Sequence, residues 1–326
     1  MTQVGTRRFG RTGWEVSELG VGMWGVAGWS GTDEHEARAA LALAVDLGCT
    51  FFDTAWAYGD GASERLLGEL LQANPHRRLF AATKVPPKNR QWPTRRGDPI
   101  ADAFPPEHIA EYAERSRENL GVETIDLLQF HVWEDDWADD PGWQAAVTSL
   151  RERHVISAVG VSINRWEPWN ALRTLETGLV DAVQVIYNVF DQAPEDELFP
   201  RCRELDIGVI ARVPFDEGSL TGTLTVDTRW PDGDWRNTYF VPENLGPTVE
   251  RVERLQPLVP TGATMAETAI RFILSNPDVD TVIPGMRRRA HVQANADAAA
   301  AGALPSALVD ALRAHRWDRV PTEWSQ

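Results

Sequence analysis

The feature that most constrains this chain is a repeated alternation: a short β-branched run is followed by a longer segment with helical spacing, eight times. Most of these runs are continuously apolar, which is typical of parallel strands covered by helices. Eight such units in one array predict an α/β fold, a (β/α)8 barrel. The predicted strands are Leu19–Met23, Thr50–Thr54, Leu79–Lys84, Ile125–Phe130, Ala158–Ser162, Ala182–Tyr187, Gly208–Ala211 and Thr281–Ile283.

Helices are predicted between these strands, at Asp33–Leu47, Ala62–Ala73, Pro106–Leu120, Trp143–Arg153, Pro168–Gly178, Glu195–Leu205, Ala263–Asn276 and His291–Ala299. Turn signals at Gly10 and Gly13 predict a β-hairpin before the first strand. Two stretches interrupt the alternation: the tail from Ala303, and Phe215–Pro247, which we expect to form a functional loop over the barrel mouth. The length of 326 residues would allow two domains, but no linker is evident, and we expect 1–326 to form one domain.

The charge balance excludes some classes of partner. With 48 acidic and 32 basic residues the formal net charge is −16, which argues against nucleic acid or an anionic membrane as the main partner. We find no apolar run of membrane-spanning length and no signal-peptide core near the N-terminus, so we expect a cytoplasmic protein. The two distant cysteines form no disulfide framework or metal motif, and no metal site is predicted.

One motif imitates a dinucleotide-binding fingerprint. Gly20, Gly22 and Gly25 fit the G-x-G-x-x-G pattern, and a second strand ends in the acidic Asp53. The next predicted helix begins too late, however, and Trp24 stands where the backbone would have to approach a pyrophosphate. We therefore favour the barrel over a Rossmann fold.

Four polar side chains stand at the ends of consecutive predicted strands. Asp53 and Lys84 end the second and third strands, Tyr58 follows five residues after Asp53, and His131 ends the fourth strand. All carboxyl ends of barrel strands open on one face, so we expect these groups to lie together. A charge within an apolar strand needs a partner, and Asp53 and Lys84 are each other's nearest candidates.

This arrangement suggests acid catalysis. A Lys ammonium favours the phenolate of a neighbouring Tyr, so we expect a lowered pKa for Tyr58 and proton donation from it. A neutral His131 beside it could hydrogen-bond a carbonyl oxygen. The alternatives are a purely structural Asp53–Lys84 ion pair and a histidine satisfied in the core.

Arg287, Arg288 and Arg289 form a basic cluster after the last strand of a strongly acidic chain. They lead into a predicted helix, whose N-terminus favours anions, and barrels often bind phosphate at this place. The cluster therefore predicts a phosphate site, the alternative being a solvated basic turn.

The 14 tryptophans are unevenly distributed. Ten fall at or just after predicted strand ends: Trp24, Trp29, Trp56, Trp92, Trp133, Trp137, Trp166, Trp169, Trp230 and Trp235. Indoles suit a pocket that is mostly apolar with a few polar points, and we expect Trp24, Trp56 and Trp133 to line the substrate pocket. The acidic stretch 134–140 is either a solvated loop or a wall favouring polyhydroxylated or cationic ligands.

Taken together, the segments GVGMWG, FFDTAWAYGDGASERLLGEL, AATK, DLLQFH, GVSIN, QVIYN and IPGMRRRAHVQAN resemble, in family order, the aldo-keto reductase superfamily, and nearest its bacterial and potassium-channel-β-like branches. The resemblance spans nearly the whole chain. It implies a (β/α)8 barrel with extra loops and helices at the carboxyl face, binding NADP(H) without a Rossmann domain. It also implies a catalytic tetrad of Asp53, Tyr58, Lys84 and His131, with Tyr58 as general acid, Lys84 held by Asp53, and His131 orienting the carbonyl.

The resemblance further implies cofactor-binding residues. Ser162 and Gln184 match positions that hold the nicotinamide carboxamide, Arg287 the residue on the adenosine 2′-phosphate, and Asn295 one near the adenine. Asn164 stands one position later than usual, His291 replaces a frequent Gln, and Arg212 replaces a stacking aromatic ring. The remaining expected cofactor contacts are Met23, Trp24, Asp53, Pro214, Phe215, Gly218, Leu220, Gly222 and Gly285.

The implied activity is reduction of an aldehyde or ketone by hydride transfer from NADPH. An alternative is an NADP(H)-binding redox-sensing subunit with incidental turnover. Under either function the protein could be a monomer or a homo-oligomer. A metal-dependent sugar isomerase barrel is disfavoured, because it would need several carboxylate and His ligands at the strand ends. At those ends this chain has one acid and one His, with a Lys beside them.

Overall fold

The barrel follows the order of the sequence. The structure, a computed structural model, describes residues 3–26 and 33–325. In it, eight parallel strands pair in chain order, each with the next. Bridges from Leu19 to Val282 and from Gly22 to Gly285 connect the first strand to the last. The predicted (β/α)8 barrel is confirmed.

The predicted hairpin is also present, as an antiparallel pair of strands ahead of the barrel. The hairpin consists of β1 (Thr6–Phe9) and β2 (Trp14–Ser17). The barrel strands are β3 (Val21–Gly22), β4 (Phe51–Asp53), β5 (Phe80–Val85), β6 (Ile125–Phe130), β7 (Ile156–Ser162), β8 (Ala182–Ile186), β9 (Gly208–Arg212) and β10 (Thr281–Val282).

The helices surround the barrel or follow its carboxyl ends. They are α1 (Glu34–Asp46), α2 (Ala62–Ala73), α3 (Ile100–Ala103), α4 (Pro106–Leu120), α5 (Pro141–Glu152), α6 (Leu172–Glu176), α7 (Leu198–Leu205), α8 (Arg236–Tyr239), α9 (Pro242–Leu255), α10 (Met265–Leu274), α11 (Arg289–Ala300) and α12 (Ser306–Arg313). None of these helices is both long and apolar enough to cross a bilayer.

Several predicted boundaries differ from the structure, and two segments differ most. The helix predicted at Pro168–Gly178 is shortened to α6, and in the segment before α6 the Asn170 side chain donates to the Trp133 carbonyl. The loop predicted at Phe215–Pro247 ends earlier, because Pro242 fits the first turn of α9.

The hairpin closes the amino end of the barrel. Phe9 is fully buried among inward residues of several strands, including Phe51 and Leu127. A Cβ atom on Gly208 would lie 2.8 Å from the Phe9 ring, so glycine is required at this close approach. With this end closed by packed side chains, polar side chains at the opposite, carboxyl end are left to form a site.

Candidate active site

A buried ion pair lies at the carboxyl ends of β4 and β5. Lys84 Nζ is 2.5 Å from Asp53 Oδ1, and both side chains are almost completely buried. Lys84 also donates to the Thr54 carbonyl at 2.9 Å. The predicted pairing is therefore present, and the hydrogen bonds compensate part of the cost of removing two charges from water.

The second carboxylate oxygen of Asp53 is held by two amides. Gln129 Nε2 donates to Asp53 Oδ2 at 2.9 Å, and Gln184 Nε2 donates to the same atom at 2.8 Å. Gln184 also lies 3.2 Å from Gln129 Oε1, so three strands meet in one network. A Cβ on Gly160 would lie 2.9 Å from Gln129 Cγ, so the glycine leaves room for this side chain.

Gln129 is the residue that the sequence reasoning missed. Its signal was an amide within the otherwise apolar run LLQF, at the position that pairs in register with Lys84. A polar side chain buried there needs partners, which the network around Asp53 supplies.

Tyr58 and His131 lie beside the pair. The Lys84 ammonium is 5.2 Å from the centre of the Tyr58 ring, and the Tyr58 and His131 rings meet edge to face at 5.6 Å between centroids. Trp92 packs edge-on against His131 at 4.5 Å. The structure thus brings together all four residues of the predicted catalytic group.

The electrostatics differ from the prediction at Tyr58. Burial raises the pKa of Tyr58 above that of a free tyrosine, and the opposing effect of Lys84 is smaller, so the predicted lowering was wrong. Burial, with Lys84 and Arg212 nearby, holds the pKa of His131 well below its usual range. At neutral pH the site therefore holds a protonated phenol beside a neutral imidazole.

Arg212 ends β9 in the same region. Its guanidinium donates to the Ile163 carbonyl at 3.0 Å, and burial lowers the Arg212 pKa to about 10. Its Nε, together with His131 Nδ1 and Asn164 Oδ1, is buried without a hydrogen-bond partner among the described residues. Buried polar atoms normally have a hydrogen-bond partner, so these atoms suit a polar ligand at the barrel mouth that carries both donors and acceptors.

The carboxamide-binding residues expected from the sequence lie near this region. Ser162 is buried at the end of β7, directly opposite Gln184 in the register. Asn164 donates to Glu134 Oε1 at 2.9 Å and to the Trp133 carbonyl at 3.0 Å. Only the Asn164 carbonyl oxygen is therefore available to accept a hydrogen bond from a ligand.

The segment Val213–Gly222, which contains Pro214, Phe215, Gly218 and Leu220, follows β9 and is tightly fixed. Val213, Asp216 and Glu217 have φ of 55°, 44° and 58°, which is strained for non-glycine residues. Arg165 from the loop after β7 binds Glu217 at 2.6 Å and restrains the segment.

Two expected cofactor contacts are fully buried. Met23 and Leu220 have no exposed surface and pack in the main core, so their side chains face other apolar groups. Met23 meets the site through its backbone, since its amide donates to the Asp53 carbonyl at 2.9 Å. Trp24, next in sequence, is 44% exposed.

The basic cluster lies before α11, as predicted, but its members differ. Arg289 binds Glu36 at 3.0 Å, so its guanidinium is already engaged. Arg288 is exposed at the N-terminus of α11, where the Glu36 carboxylate already accepts from the Arg289 amide at 2.9 Å. Arg287 is half-buried, and this burial, together with the nearby charges of Arg288 and Arg236, lowers its pKa. Gly285 and His291 are exposed at this end and Asn295 is buried along the helix.

The prediction that Trp133 lines the substrate pocket was wrong. Trp133 is 0% exposed, and its Nε1 donates to Thr174 Oγ1 at 2.7 Å, so it belongs to the core beside α5 and α6. Trp137 is buried in the same cluster. Trp56 is half-buried and packs against Tyr112 of α4, and Trp29 lies outside the described residues.

The acidic stretch 134–140 serves the fold. Asp135 accepts hydrogen bonds from the start of α6, and Asp140 caps α5 through the Gly142 amide at 2.8 Å. Asp136 and Asp139 pair with Arg173. These carboxylates are engaged by the protein itself, so they do not form the cationic-ligand wall that the sequence left open.

The comparisons with known proteins agree with this geometry. The model of the aldo/keto reductase family matches residues 18–316, and the chain belongs to this family. Aldo-keto reductase YhdN of Bacillus subtilis is 29% identical over 87% of this chain and 85% of its own length. The NADH-specific methylglyoxal reductase of Escherichia coli is 28% identical, with 88% and 90% covered. A probable voltage-gated potassium channel subunit beta of Arabidopsis thaliana is 27% identical over 89% of both chains.

The fold comparison gives the same result. The holo form of aldo-keto reductase AKR11C1 from Bacillus halodurans superposes with a TM-score of 0.77 and 25% identity, covering 99% of this chain and 100% of that one. The protein is therefore an oxidoreductase of a family that uses nicotinamide cofactors and small carbonyl substrates.

Proposed function

We propose that this protein is an NADP(H)-dependent reductase that converts an aldehyde or ketone to an alcohol, with Tyr58 as the general acid and residues 1–326 acting as one domain. The observation that carries the proposal is the buried Asp53–Lys84 pair beside Tyr58 and His131. A structural ion pair alone would not need a tyrosine and a neutral histidine against it.

The protein's own groups have distinct tasks in this proposal. Tyr58 holds the proton that the carbonyl oxygen receives as it becomes an alkoxide, and its raised pKa keeps it protonated at neutral pH. Lys84 stabilises the phenolate left behind, and Asp53 with its two glutamines fixes Lys84. Neutral His131 orients the carbonyl by a hydrogen bond.

The cofactor would be held by residues at the carboxyl ends of β7 to β10 and of β3. A bound nicotinamide supplies the hydride. Asn164 Oδ1 and Gln184 are suited to its carboxamide, and Arg212 Nε to a further acceptor. Trp24, the segment Val213–Gly222 and the start of α11 would enclose the phosphates and the rest of the cofactor.

The acid role is tested by Tyr58→Phe. We expect a loss of aldehyde reduction of about 100-fold or more, with NADPH affinity unchanged in a fluorescence titration. Tyr112→Phe, on helix α4 outside the barrel, is the matched control and should retain turnover. Full turnover by Tyr58→Phe would refute the assignment.

The proposed preference for NADPH over NADH depends on Arg287. It needs a test of its own, because one relative is named NADH-specific. Arg287→Ala should weaken NADPH binding about 10- to 100-fold and leave NADH binding unchanged, as expected for loss of a charged contact with phosphate. Arg289→Ala is the control, because Glu36 engages that guanidinium. Equal affinities of the unmodified protein for the two cofactors would remove the phosphate role.

A regulatory subunit remains the second candidate, because a channel β subunit is among the relatives. Steady-state turnover with simple aldehydes separates the two: a reductase turns over many times per site, whereas a sensor oxidises about one bound cofactor per site.

A further inference from the structure

A cavity of about 240 Å³ lies beside Asn164, one of the residues proposed to hold the cofactor. Its lining comes from the loops after β5, β6 and β7 and from the chain end, and includes Arg95, Arg96, Glu134, Arg165 and Ser325. The loop after β5 also carries Trp92, which packs against His131 at 4.5 Å. The loop after β5 therefore contacts the group proposed to orient the carbonyl and also lines the cavity.

Two arginines that line the cavity have guanidinium groups without a partner in the part of the chain that the structure describes. Arg95 and Arg96 are exposed, and neither guanidinium takes part in an ion pair or a side-chain hydrogen bond there. Arg165 differs, because Glu217 binds it at 2.6 Å. In a chain of net charge −16, two adjacent unpaired arginines at a cavity are unusual.

Among the described residues, no carboxylate forms an ion pair with either arginine. Glu134 accepts from Thr94 Oγ1 at 2.8 Å and from Asn164, and burial raises its pKa. Glu167 accepts from the Asn170 amide at 3.3 Å. The acidic stretch that follows Glu134 is engaged by Arg173 and by helix starts.

We propose that Arg95 and Arg96 form a subsite for an anionic group, a carboxylate or a phosphate, on the carbonyl substrate. This inference rests on the proposed reductase function and specifies its substrate class. Guanidinium groups bind such anions through paired hydrogen bonds. The substrate is then an aldehyde or ketone that also carries an anionic group.

Three aldehydes with one ring scaffold test the subsite: 4-carboxybenzaldehyde, 4-formylphenyl phosphate and the neutral 4-methylbenzaldehyde. We expect kcat/KM for at least one anionic aldehyde to exceed that for the neutral one by about 10-fold or more, as for a charge-assisted contact. Comparison of the two anionic aldehydes shows whether a carboxylate or a phosphate is preferred. In the double variant Arg95→Gln/Arg96→Gln, the ratio of kcat/KM for the anionic aldehyde to that for the neutral one should fall towards one. Arg90→Gln, an exposed arginine of the same loop outside the cavity, should keep the ratio.

Binding separates this inference from the proposed reaction. We expect 4-(hydroxymethyl)benzoate to bind in calorimetry more tightly than 4-methylbenzyl alcohol, and the double variant to lose the difference. Equal kcat/KM for all three aldehydes, or a preference that the double variant keeps, would overturn the subsite. A third outcome separates the two proposals. If no aldehyde is reduced, but the benzoate still binds more tightly than the neutral alcohol and this depends on Arg95 and Arg96, the subsite stands and the proposed reaction fails.

Discussion

Arg319 donates a hydrogen bond of 2.8 Å to Asp216, and this contact ties the tail of the chain to the segment after β9. Arg319 also binds Asp191, and its Nη1 lies 3.2 Å from the Tyr239 hydroxyl. The arginine is buried, with 3% of its side chain exposed. The tail therefore fixes the segment proposed to enclose the cofactor.

Arg319→Gln should destabilise the protein. It leaves Asp191 and Asp216 buried without their cation, which costs about 3–5 kcal/mol in the free energy of unfolding. Urea denaturation measures this. Arg316→Gln is the control, because its partners Asp196 and Asp318 are exposed and such pairs contribute about 1 kcal/mol or less. Equal losses in both variants would contradict the importance of the buried contact.

The Asp53–Lys84 pair should show strong coupling. Asp53→Asn and Lys84→Met each leave a buried group without its partner and should each cost about 3–5 kcal/mol in unfolding free energy. The double variant should lose less than the sum, with a coupling of at least about 1 kcal/mol in urea denaturation. Additive losses would show that the two charges are screened from each other.

The pH dependence of reduction should be flat around neutrality. His131 has a pKa well below its usual range and stays neutral, and Tyr58 has a raised pKa and stays protonated. We expect kcat/KM for aldehyde reduction to be constant from about pH 6 to about pH 9 and to fall only at higher pH, as Tyr58 loses its proton. A limb with an apparent pKa between about 6 and 7 would contradict the neutral state of His131.

Replacement by Phe should affect mainly stability at Trp133 and mainly KM at Trp24. Trp133→Phe removes a buried indole and its hydrogen bond to Thr174, so it should lower unfolding free energy by about 1–3 kcal/mol and leave the aldehyde KM unchanged. Trp24→Phe affects an exposed ring packed at 5.4 Å on Trp235, so stability should change little while KM for cofactor or substrate rises. Urea denaturation and steady-state kinetics check both.

The barrel and most of its site residues could be predicted from the sequence for a local reason. Each strand is marked by its own apolar run, and the carboxyl end of every barrel strand opens on one face. Asp53, Lys84 and His131 stand at such ends, so their proximity follows from the strand order. The same reasoning missed Gln129, which lies inside a strand, because only the register opposite Lys84 gives it a role.

Side-chain direction and long-range charge partners were decided by the tertiary structure. Trp133 follows a strand end as Trp24 does, yet it points into the core, because Thr174 and the rings of Trp137 and Trp143 receive it there. The raised pKa of Tyr58 reflects burial, which no neighbouring residue in sequence reveals. Sequence by itself determined the barrel and which chemical groups stand at its mouth. Only the packed chain decided which arginines are neutralised by carboxylates, because ion pairs such as Arg319–Asp216 join residues about a hundred positions apart.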